Sequence, residues 1–112
     1  MAKYVQTVDS VFGALSDPTR RRVVQRLGHG PASVGELAAE HPITLPSFMK
    51  HVRTLEACGL IRTTKAGRVR TCELDRSRLA VVDDWLGQQR RIWEARTDRL
   101  ERFVTKGAEG DR

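Results

Sequence analysis

The chain is short of most groups that carry out chemistry. It has two cysteines, Cys58 and Cys72, too few for a disulfide framework, so a reduced, cytoplasmic setting is expected. No apolar run approaches the ~18 residues a membrane helix needs, and Met1 to Leu15 is too polar for a secretory leader. No membrane partner is therefore expected. There is no glycine-rich phosphate loop and no supported Ser/His/Asp arrangement. The carboxylates of Asp83 and Asp84 are adjacent, which on a helix turns them about 100° apart, so they form no dyad. The three histidines, His29, His41 and His51, are scattered, and none lies beyond position 51. An enzyme is not expected, and neither is a cofactor.

What remains is a basic chain of 112 residues, the size of one domain. An apolar fraction of 39% supports a modest core, which an added interface such as dimerisation would help. The net charge of +6 is concentrated. Residues 17–70 hold ten Lys and Arg against four acids, while the segments on either side balance to zero. Cationic charge gathered in one stretch is the footprint expected of a polyphosphate-binding surface. The plain alternative is a solvated face that aids solubility.

That stretch is also the best organised. Ser33 followed three residues later by Glu36 is a capping box, opening a helix to about Ala39 or Glu40 with Val34, Leu37 and Ala38 on one face. Pro42 stops it. Thr44 can cap the next helix, with Pro46 in its first turn. Phe48, Val52 and Leu55 recur at four and three residues and share a buried face; Ser47, Lys50, His51 and, at the edge, Arg53 lie on the other. Gly59 reads as a left-handed stop. Two helices across a tight turn, the second with a basic outer face, match a helix-turn-helix. IRTTK and RVRTCEL then read as two strands with a turn at Ala66-Gly67, and Lys65, Arg68 and Arg70 make the hairpin tip basic.

Earlier in the chain, Tyr4, Val5, Val8, Val11, Phe12 and Leu15 fall at helical spacing. Asp17 and Pro18 begin a second helix, with Val23, Val24 and Leu27 inward and a break at Gly28–Gly30–Pro31. Arg20, Arg21, Arg22 and Arg26 on or near it could clamp a phosphate or serve as surface charge, and Arg20 could instead partner a carboxylate. After the hairpin, Asp75 or Ser77 can cap a last helix of roughly 25 residues, estimated from its repeating apolar pattern. Its stripe includes Leu79, Val82, Trp85, Leu86, Ile92, Trp93, Leu100 and Phe103. So small a domain has too little core to cover both tryptophans, which points to this stripe as an interface, the alternative being that both pack back onto this domain. A frayed tail is expected over 107–112.

Four segments together resemble the ArsR-type (ArsR/SmtB-like) winged helix-turn-helix transcriptional regulators. They are FGALSDPTRRRVVQRL at 12–27, VGELA at 34–38, SFMKHVRTLEACGLI at 47–61 and GRVRTCEL at 67–74. The last helix, DWLGQQRRIWEARTDRLERF at 84–103, is similar to that of a branch without a recognised metal site. The resemblance implies a mainly α fold of about five helices with two antiparallel strands forming a small wing. Residues 1–106 would form the domain, with dimerisation helices at both ends. It further implies a sequence-specific DNA-binding regulator, a homodimeric repressor at an inverted-repeat operator on double-stranded DNA, with the effector unknown. The expected DNA contacts are Ser47, Lys50, His51, Arg53, Lys65, Arg68 and Arg70. The expected dimer contacts are Val8, Phe12, Trp85, Ile92, Trp93, Leu100 and Phe103. Metal sites of the family's kinds need cysteines on the helix before the turn, or Asp and His on the last helix. VGELAAE has no cysteine and the last helix no histidine, so no metal is expected. The two thiols read as small apolar side chains, a redox switch being the alternative. A reading from another class is a winged-helix adaptor that binds protein and not DNA.

Overall fold

In a computed structural model of the chain, the described backbone covers residues 2–110 and the described side chains residues 6–104. The order is α1 (Ala2–Ala14), α2 (Pro18–Leu27), β1 (Ala32–Ser33), α3 (Val34–Ala39), α4 (Leu45–Ala57), β2 (Ile61–Ala66), β3 (Val69–Leu74) and α5 (Arg76–Gly110). Five helices and a small antiparallel sheet agree with the mainly α, winged arrangement expected. The chain divides into two compact units, residues 1–82 and 83–112.

Within the first unit, the starts of α2, α3 and α4 are each set by a side chain written into the sequence. Asp17 accepts the Arg20 amide at 3.0 Å, with Pro18 occupying the first helical position. Ser33 and Glu36 form both bonds of the capping box, at 3.1 and 3.4 Å. Thr44 accepts the Ser47 amide at 3.4 Å. The α4 exit is a Schellman closure. The Gly59 amide donates to Glu56 O and the Leu60 amide to Leu55 O, both at 3.0 Å, with Gly59 at φ +83°. It is the positive φ that calls for glycine here, since a Cβ at Gly59 would meet only the flexible Arg78 side chain. At the start of α5, Asp75 takes the capping role by accepting both the amide and the hydroxyl of Ser77.

The core lies under α4. Phe48, Val52 and Leu55 are fully buried, against Val11, Val23, Leu27 and Leu37 from the preceding helices and Leu60, Ile61 and Cys72 from the sheet. Leu79 and Val82 from the first turns of α5 pack on the same cluster. His41, buried in the turn between α3 and α4, stacks on Phe48 with ring centroids 5.4 Å apart.

Three features differ from the sequence reading. A third strand exists, because Ala32 and Ser33 pair with Cys72 and Thr71 to give the order β1-β3-β2. The hairpin turn lies one residue later than expected, at Gly67-Arg68, because Ala66 still pairs with Val69. Gly67 at φ +61° takes the first loop position, as glycine does in type II′ hairpins. The last helix, Arg76–Gly110, has 35 residues and is longer than its apolar pattern predicts; residues 111 and 112 lie outside the described set.

The second unit is the body of α5. Ile92, Trp93, Leu100, Phe103 and Val104 are all more than half exposed along it. Among the described residues no helix is long and apolar enough to cross a membrane.

Candidate nucleic-acid interface

The rear of α4 is fixed by Phe48, Val52 and Leu55, which decides what the front presents. Lys50 and Arg53 are exposed on the face opposite these three. Thr54 is exposed beside them, its hydroxyl donating to Lys50 O at 3.0 Å. Ser47, also exposed, accepts a hydrogen bond from the Thr44 hydroxyl at 3.0 Å. Its own hydroxyl proton remains available to an outside acceptor. Leu45 and Met49, one turn apart, edge the helix on the wing side. With Val34, Val69, Lys65, Arg68 and Arg70 they line an open groove of about 410 Å³. The sequence reading omitted Leu45, Met49 and Thr54. Only the packing of α4 against its neighbours assigns these three a side.

His51 is turned away from that front. Its ring is 23% exposed and faces α2, with Nδ1 3.2 Å from Arg20 Nη1 and 3.7 Å from Asp17 Oδ2. A guanidinium only donates, so Nδ1 accepts this bond in the neutral ring, whereas a protonated ring would turn its charge toward Asp17. Arg20 also donates from Nε to Ala14 O at 2.7 Å and from Nη2 to Gly13 O at 3.2 Å. Arg21 reaches Leu15 O at 2.9 Å. These two arginines brace the end of α1 in the present structure, and Arg20 holds the His51 ring. The Asp17 carboxyl is held below its ordinary value, chiefly by the Arg20 amide and then by the charges of His51 and Arg20.

The wing carries its cations at the tip. Lys65 and Arg68 are exposed, Arg68 in the turn itself. Arg70 is half-buried and donates to Thr63 Oγ1 at 2.9 Å, and the Thr63 hydroxyl donates to Glu56 of α4. The seven expected DNA residues thus fall into two groups. Ser47, Lys50, Arg53, Lys65 and Arg68 face solvent, whereas His51 and Arg70 are tied into the fold.

The expected dimer contacts also divide. Val8 is 4% exposed, buried within this chain. Phe12 is 39% exposed on α1. Of the α5 group, Ile92, Trp93, Leu100 and Phe103 are exposed and Trp85 is half-buried.

Both thiols are reduced. The Cys58 thiol donates to Leu55 O at 3.2 Å. Cys72 is fully buried, and burial, reinforced by the Glu56 carboxylate, pushes its thiol pKa up. A thiol that resists ionisation is a poor nucleophile, which fits a packing role for Cys72. Among the described residues no three His, Cys, Asp or Glu side chains gather as a metal-holding group.

A buried helix rear, an exposed basic front and a basic hairpin beside it define a winged helix-turn-helix DNA-binding module. Comparison with known proteins agrees. A helix-turn-helix domain family matches residues 15–64. The HTH-type transcriptional regulator Rv2034 of Mycobacterium tuberculosis is 37% identical over 102 residues, covering 91% of this chain and 82% of the relative. The transcriptional repressor SdpR of Bacillus subtilis is 29% identical over 79 residues, covering 70% and 88%. The crystal structure of an ArsR family transcriptional regulator, RHA00566, superposes with a TM-score of 0.77 at 50% identity, covering 79% of this chain and 97% of that one. The chain belongs to the ArsR-type winged helix-turn-helix transcriptional regulators, a family of DNA-binding regulators and not of enzymes. Membership favours DNA over the adaptor alternative.

Proposed function

We propose that the protein is a cytoplasmic homodimeric repressor that reads an inverted repeat. Two copies of α4 enter successive major grooves about 34 Å apart, and each wing tip lies on the adjoining backbone. Occupancy of the operator blocks transcription. The observation that carries this reading is the front of α4: Ser47, Lys50 and Arg53 are exposed on a helix whose opposite side is wholly buried. The concentration of the net charge in residues 17–70 supports it. The stripe of Ile92, Trp93, Leu100 and Phe103 supplies apolar surface that a second copy would cover, and Phe12 is a separate exposed apolar side chain on α1. Release follows from an effector that favours a dimer with the wrong spacing between reading helices.

Selection from random duplexes yields the operator, and fluorescence anisotropy over a salt series assigns the side chains. Lys50→Ala is expected to cost about 1–3 kcal/mol on the selected site and much less on a scrambled duplex. Arg68→Ala is expected to weaken both duplexes alike and to flatten the salt slope by about one. Equal losses on both duplexes for Lys50→Ala would remove base reading from α4.

A further inference from the structure

The hairpin reaches α4 through one continuous polar chain. Ile61, Thr63 and Lys65 alternate on β2, opposite Leu74, Cys72 and Arg70 on β3. At the root of this face Ile61 and Cys72 are buried in the core, and at its far end two cations stand directly across from each other. Like charges in register repel and would splay the tip. Thr63 stands between root and tip. Its oxygen accepts from Arg70 Nη1 at 2.9 Å while its proton goes to the Glu56 carboxylate in the last turn of α4. Carboxylate, hydroxyl and guanidinium are therefore aligned in the order in which each bond polarises the next. Arg70 is drawn away from Lys65, and the reading helix is fastened to the wing.

We infer that Glu56 and Thr63 are positioning residues for DNA binding: they fix the wing relative to α4 and hold the Arg70 guanidinium at its base. This rests on the proposal above that α4 and the wing both meet DNA. Glu56 is one of only four acids in residues 17–70. Were it a bystander, its carboxylate would merely repel phosphate, and removing it would strengthen binding. A positioning role reverses that sign, because a misplaced wing loses contacts the helix alone does not make.

The test uses the full-length protein and the selected operator. Glu56→Met keeps side-chain length but removes charge and acceptor. Affinity is expected to fall about three- to tenfold, the order of one ordinary net hydrogen bond, since the Thr63–Glu56 pair is solvent-exposed. Glu56→Gln retains an acceptor for Thr63 and is expected to restore affinity to the native level or above. Thr63→Val removes the hydroxyl, changes no charge and suits a strand; it should lose as much as Glu56→Met, with no further loss in the double variant. Hydrogen exchange on the unbound protein is expected to quicken at amides of residues 63–70 in Glu56→Met, with α4 protection retained. Native or tighter operator binding by Glu56→Met, or unchanged exchange in the wing, overturns the inference. A native protein that binds no duplex would refute the DNA reading and this role with it, while the exchange rates would still decide whether Glu56 and Thr63 fasten the wing to α4.

Discussion

Residues up to Val82 and residues from Asp83 onward use the same kinds of apolar side chain to different ends. In the first unit Phe48, Leu55 and Ile61 are at most 1% exposed, each covered by neighbours from other elements. In the second, Leu100 is 64% and Phe103 is 76% exposed on a helix with no other element in its unit. A lone helix can satisfy its backbone internally but cannot cover a stripe of its own side chains. The buried apolar residues of the first unit therefore report on folding, and the exposed stripe of the second on the proposed association.

The largest expected effect is on the folding side. Phe48→Ala removes a fully buried ring from beneath the reading face and should cost about 3–5 kcal/mol in denaturant unfolding. A loss below about 1 kcal/mol would mean that the rear of α4 is not what holds its front. Trp93→Glu should do the opposite, leaving far-ultraviolet dichroism intact while weakening self-association by about 2 kcal/mol or more in sedimentation equilibrium. An unchanged oligomeric state would break the contrast between the units. Asp17→Ala has the smallest expected effect, about 1 kcal/mol, through loss of the α2 cap. The Asp17 carboxyl is depressed in the folded state, so its contribution is complete above its ordinary value of 3.8 and is lost as pH falls through the folded value. Native and Asp17→Ala unfolding curves should accordingly converge in acid; a gap that persists there would assign the effect to packing.

The parts of the molecule legible from sequence are those decided within a few residues. The cap at Asp17-Pro18, the Ser33–Glu36 box, the Thr44 cap and the Gly59 stop are local bargains between a side chain and the next turn of backbone. The Phe48–Val52–Leu55 face is periodic, so it too shows in the sequence. Strand β1 does not, because Ala32 and Ser33 are too short a run to alternate and exist as a strand only by pairing with β3. The hairpin turn was misplaced by one residue because Ala66 is neutral toward either role, whereas the positive φ belongs to Gly67 alone. His51 is polar but stands one turn from both Phe48 and Leu55, at the margin of the buried face of α4, and its ring faces α2. That orientation depends on Arg20, 31 positions away in the chain. The link from Glu56 through Thr63 to Arg70 joins three elements and has no local signature either.

The Arg20 guanidinium has a mechanical consequence. One rigid plane is pinned to the carbonyls closing α1 and, from the same fork, to a ring on α4. Its geometry leaves little slack, so tilting or sliding the first helix must either drag the DNA-reading element along or snap the fork. Any signal that reaches the amino-terminal helix thus arrives already geared to the groove-probing surface, with no messenger loop in between.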